Sequence, residues 1–94
     1  MSKAIVFEFS GVVRIFAKQR DVHLTIADTA TWCDVIAVLA QAVPALVGEV
    51  IAKDKRHLVG DYLINVDGTM TINNLEERAE VKDGTHLIFL TDAC

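Results

Sequence analysis

Apolar and polar residues alternate from Lys3 to Ser10, with Ile5, Phe7 and Phe9 on one face and Ala4, Val6, Glu8 and Ser10 on the other. A period of two marks a strand with one buried face. Gly11 interrupts the pattern, and Val12 to Arg20 fits either a continuing strand or a wide turn. From Asp21 to Ala27 the alternation returns, with Val22, Leu24 and Ile26 inward and His23 and Thr25 outward, so a second strand antiparallel to the first is expected. The period then changes. Trp32, Val35, Ile36, Leu39, Ala42 and Val43 recur at helical spacing behind Thr31 and Asp34, which stand three apart as in a capping box. Pro44 disfavours helical geometry at Val43 and ends the helix over 31–43.

Downstream, Pro44 to Ile51 suits a short helical turn, and Lys53 to His57 a solvated basic loop. Tyr62 to Val66, Asp67-Gly68 and Thr69 to Ile72 read as a hairpin, because Asp-Gly supplies the positive φ angles of a tight turn between strands. After a polar connection over Asn73 to Glu80, Lys82-Asp83-Gly84-Thr85 turns into His86 to Leu90. That last stretch is apolar from Leu87 to Leu90, as in a strand covered on both sides. The order ββαβ(β)β predicts an α+β fold: a mixed sheet of four to five strands, one main helix on one face, and the last strand in the middle beside the first. With no repeat or linker, one domain is expected over 1–94, ending in a short tail from 91 to 94.

Composition narrows the function. The chain is 52% hydrophobic and 23% charged, which excludes an intrinsically disordered chain. A net charge of −4 argues against a nucleic-acid binder, whose affinity comes from Lys and Arg on phosphates, and favours protein partners or small molecules. The stretch Val35 to Val47 is broken by Gln41 and Pro44 and is shorter than the roughly 20 residues of a membrane span. Ala4 to Phe7 is too short for a signal-peptide core. A cytoplasmic chain is expected, away from membranes, with Cys33 and Cys94 reduced.

Several pieces, in order, resemble a known family. They are Phe9 to Phe16, the strand around Leu24, the helix ending at Pro44, Ile64-Asn65-Val66-Asp67-Gly68, and Leu75 through Lys82-Asp83-Gly84-Thr85 into Leu87-Ile88-Phe89-Leu90. Over nearly its whole length the chain is similar to the MoaD/ThiS sulfur carriers, the small subunit of molybdopterin synthase and its thiamine-pathway counterpart. The resemblance implies a ubiquitin-like β-grasp. It also implies a partner enzyme that adenylates a terminal Gly-Gly carboxylate, which then becomes a thiocarboxylate. Here the sequence departs from the family: Leu90 is followed by Thr91-Asp92-Ala93-Cys94, and no Gly-Gly pair occurs anywhere in it.

No other chemistry assembles. Cys94 is the one candidate sulfur acceptor, as a persulfide or mixed disulfide, although Asp92 and the terminal carboxylate disfavour its thiolate. Cys33, at the second helical position, is expected to pack in the core. His23, His57 and His86 lie on separate elements, so neither a metal site nor a cofactor is expected, and two cysteines cannot hold a four-thiolate cluster. Ser2 and Ser10 stand in no nucleophile motif, and no catalytic residue is assigned.

What remains is surface. Ile5, Phe7, Phe9, Leu24, Ile26 and Phe89 are expected beneath the helix, and Val6, Ile88 and Leu90, with Ala4, on the opposite face. That face is either covered by Pro44–Ala52 or open for a partner. The expectation is a non-catalytic protein-binding module or small accessory subunit, docking through Val6, Ile88, Leu90 and the tail Thr91, Asp92, Ala93 and Cys94. Its partner would be a larger protein with a basic docking surface. The alternative is a divergent sulfur carrier, served by an adenylating or sulfur-transfer enzyme and working through its terminal carboxylate or Cys94.

Overall fold

A computed structural model describes residues 2–60, 62–72 and 74–91. In chain order the elements are β1 (Ser2–Glu8), α1 (Gly11–Ala17), β2 (Asp21–Ala27), α2 (Trp32–Ala42), a 3-10 turn (Pro44–Leu46), β3 (Tyr62–Val66), β4 (Met70–Ile72) and β5 (Thr85–Thr91). The strands form one mixed sheet in the order β2-β1-β5-β3-β4. β5 runs parallel to β1 and antiparallel to β3, so the last strand is central, as the sequence pattern requires.

Register settles which side chains share a face. Ile5 pairs with Leu24, Phe7 with Val22 and with Leu87, and Ile64 with both Phe89 and Ile72. Apart from the half-buried Val22, these side chains are buried, and they pack with Val35, Ile36, Leu39 and Val43 of α2 and with Leu46, Val50 and Ile51 beyond it. Phe7 and Phe89 stack in the middle with ring centroids 5.1 Å apart. Fully burying each such side chain contributes on the order of 1.5–3 kcal/mol, so this layer dominates the fold's stability.

The segment Val12 to Arg20 is neither a strand nor a simple turn. Gly11–Ala17 forms α1, which packs on the 3-10 turn and ends at Lys18 in the left-handed conformation (φ 59°). Val13 and Ala17, one turn apart, are buried, and Phe16 packs against the core. The β-branched Val12, Val13 and Ile15 favour a strand locally, but anchoring Val13, Phe16 and Ala17 at helical spacing outweighs that preference.

All four leading N–H groups of α2 have acceptors. Trp32 donates to the Glu77 carbonyl (3.0 Å), Cys33 to the Leu75 carbonyl (2.8 Å), Asp34 to Thr31 Oγ1 (3.3 Å) and Val35 to the Thr31 carbonyl (3.0 Å). The Thr31 N–H in turn donates to Asp34 Oδ2 at 3.0 Å, completing the capping box. That backbone hydrogen bond lowers the Asp34 pKa against partial burial, with further help from Arg56 at 3.2 Å. A lowered folded-state pKa contributes stability above the ordinary carboxylate range and loses it as pH falls through the lowered value. Thr31→Ala should therefore cost about 1 kcal/mol in urea denaturation at neutral pH. Asp34→Asn should also be less stable than the parent at neutral pH, and the two should converge in strong acid.

Candidate functional site

The face of the sheet turned away from α2 carries Ala4, Val6 and Glu8 on β1, Asp21, His23 and Thr25 on β2, His86, Ile88 and Leu90 on β5, Leu63 and Asn65 on β3, and Thr71 on β4. Pro44–Ala52 does not cover it. Leu46, Val50 and Ile51 are fully buried in the core on the helix side, and among the described residues no helix packs over the opposite face. Val6 and Ile88 are half-buried by their sheet neighbours, and Leu90 is 38% exposed. Thr91 ends β5 opposite Tyr62; Asp92, Ala93 and Cys94 lie outside the described residues. Val6, Ile88 and Leu90 thus share one surface, as the alternation predicts.

Leu63 belongs with them. It is half-buried and pairs directly with Leu90, extending the apolar strip onto β3. The parity of the Tyr62–Val66 strand carries that assignment once β3 is known to pair with β5. Carboxylates border the strip: Glu8 and Asp21 are register partners, and like charges directly opposite cost stability in the isolated sheet. Glu8 Oε1 lies 2.7 Å from His86 Nδ1, with both side chains about half exposed.

Asn65 is the anomaly on this face. It is buried between Ile88 and Thr71, its amide nitrogen reaches Thr71 Oγ1 only at 3.5 Å, and its Oδ1 has no hydrogen-bond partner among the described residues. A buried acceptor left unmatched costs about 1–3 kcal/mol.

Cys33 is structural. Burial raises its thiol pKa, outweighing the opposing effect of Arg56, and its own N–H is already spent on Leu75. Among the described residues no group of three or more His, Cys, Asp or Glu could hold a metal ion, and no helix is long and apolar enough to cross a membrane. The unmatched amide gives a direct check on the face: Asn65→Val should raise stability by about 1 kcal/mol in chemical denaturation, because it removes the orphaned acceptor at similar volume.

Neither a protein-family model nor a curated protein matches the sequence. Solved structures do. SAMP1 of Haloferax volcanii is 21% identical, with 96% of each chain covered and a TM-score of 0.77. The small archaeal modifier protein 1 of Methanosarcina acetivorans is 20% identical, with 97% of this chain and 94% of that one covered and a TM-score of 0.73. A Pyrococcus furiosus protein named for molybdopterin converting factor, subunit 1, is 17% identical, with 97% and 99% covered and a TM-score of 0.68. At these identities the likeness is one of fold: the chain has a ubiquitin-like β-grasp fold, similar over nearly its whole length to these small modifier and converting-factor proteins.

Proposed function

We propose that this chain is a non-catalytic β-grasp module that docks on a larger protein through the uncovered face of its sheet, as a small accessory subunit. The observation that carries this reading is the apolar strip Val6, Ile88, Leu63 and Leu90, which crosses three strands with no helix over it among the described residues. A partner layer on this face would finish burying side chains that their own neighbours leave half-covered. The net charge of −4 and the Glu8–Asp21 pair beside the strip favour basic residues on the partner, which would relieve the repulsion between those carboxylates. The tail from Thr91 through Asp92 and Ala93 to Cys94 would add contacts at the end of β5. Leu90 is exposed enough to change without unfolding the sheet. Leu90→Asp should therefore leave thermal stability within about 1 kcal/mol of the parent and weaken capture of its native partner at least roughly thirtyfold, as loss of a hot-spot residue does. Equal capture by parent and variant would count against this face.

Fold likeness to a protein named for molybdopterin converting factor favours a second reading, a divergent sulfur carrier working through its terminal carboxylate or Cys94. Incubation with ATP, a sulfide source and the host's adenylating enzyme would then add about 16 Da by oxygen-to-sulfur exchange at the carboxylate, sulfide displacing AMP. Incubation with a persulfide donor would instead add about 32 Da at Cys94 by transfer of the donor's outer sulfur, the donor leaving as its thiol. An unchanged intact mass, under conditions that convert a Gly-Gly carrier, would contradict it.

A further inference from the structure

Two surface features outside the sheet face complement each other. The first is a knob on α1. Val12 and Ile15 are 55% and 71% exposed, the most exposed large hydrophobic residues described. Arg14, Lys18 and Arg20 surround Ile15 around a shallow hollow. None of these three cations forms an ion pair among the described residues. Two carboxylates, Glu8 and Asp21, share a second hollow with Arg14 and Arg20, but Glu8 is engaged by His86. An α1 built only to cover the core would present polar residues outward; this one presents an apolar tip in a basic ring.

The second feature is a hollow of about 350 Å3 at the β4 edge, with Trp32, Met70 and Ile72 on its apolar wall and Glu77 and Glu80 on its rim beside Arg78. Met70 is 51% exposed there. The two features cannot meet within one molecule. The hollow includes Trp32 at the start of α2, whereas α1 packs on the 3-10 turn beyond its end, and eleven helical residues separate those points by roughly 16 Å. Two copies placed knob to knob would set Arg14, Lys18 and Arg20 against their own images, which like-charge repulsion opposes.

We propose that α1 of one copy docks in the Trp32–Met70 hollow of a second copy, head to tail. Ile15 and Val12 would fill the hollow while Arg14 and Lys18 face Glu77 and Glu80. Both carboxylates exceed the single rim cation, so the basic ring meets a net acidic rim. The contact is heterologous, so each dimer leaves one knob and one hollow free, and assembly continues beyond the dimer unless a ring closes. It does not rest on the docking role of the sheet face, because Ile15 and the hollow's apolar wall lie off that face, with which the hollow shares only Thr71. The patches are small, so association should be weak and salt-sensitive.

Sedimentation velocity on the full chain, from about 10 μM to about 1 mM at low salt, tests this. The expected result is a weight-average mass that rises past the dimer with concentration and falls back at high salt. Ile15→Glu and the double variant Glu77→Lys/Glu80→Lys should each remain monomeric, with far-UV circular dichroism and melting temperature unchanged because all three positions are exposed. Mixed in equal amounts, the two variants retain one intact hollow and one intact knob between them, so they should form a 1:1 heterodimer and stop there. A parent that stays monomeric at the highest concentration, a dimer that survives Ile15→Glu, or a mixture that fails to pair would each overturn the proposal.

Discussion

Strand β5 is held between β1 and β3 by the turn that delivers it. The Ala4 N–H donates to Asp83 Oδ1 at 2.7 Å, and the Gly84 N–H donates to the Ala4 carbonyl at 2.7 Å. Thr85 Oγ1 closes the same turn on the Lys82 carbonyl at 2.6 Å. Gly84 adopts φ 86° with open space where a Cβ would stand, so backbone conformation alone, and not crowding, favours glycine. The tie sets the parallel register in which Phe7 faces Leu87, and shifting it by one residue would turn Leu87 and Phe89 out of the core. The helix side, the opposite face and the placement of Leu90 all follow from it.

Much of this architecture is legible in the sequence because it rests on local rules. The capping box at Thr31 and Asp34, the stop at Pro44 and the Asp67-Gly68 turn each need only neighbouring residues. At that turn Asp67 and Gly68 have φ 52° and 75°, and the Thr69 N–H donates to the Val66 carbonyl at 3.0 Å. Val66 nevertheless pairs with Met70, one residue beyond a two-residue loop, because Thr69 is left out of the ladder. α1 was beyond local reading. Its strand-favouring residues become helical only because Val13, Phe16 and Ala17 find a surface that the chain builds about thirty residues later, at the 3-10 turn. The surface role of Leu63 was hidden for the same reason, since its partner Leu90 is distant in sequence.

One-sided coverage is the functional consequence. A sheet of five strands with its helices on one side keeps a second face, and here the central strand places Ile88 and Leu90 on it. Charge gives that face a direction. Glu8, Asp21 and the overall negative balance favour a basic partner on the sheet, and Arg14 and Arg20 reach the hollow that those two carboxylates share at the end of β1. The buried Asn65, its oxygen unmatched among the described residues, lies in the middle of the uncovered face and sacrifices stability there. Sites that give up stability without structural return are where function is expected to lie.

Solvent exposure of methyl groups reads the central claim most directly. With a soluble paramagnetic probe, the methyl resonances of Val6, Leu63, Ile88 and Leu90 should relax markedly faster than those of Ile5, Ile64 and Leu87 on the helix side. Equal protection of both sets would mean that the second face of the sheet is covered by the chain itself, and would contradict the account.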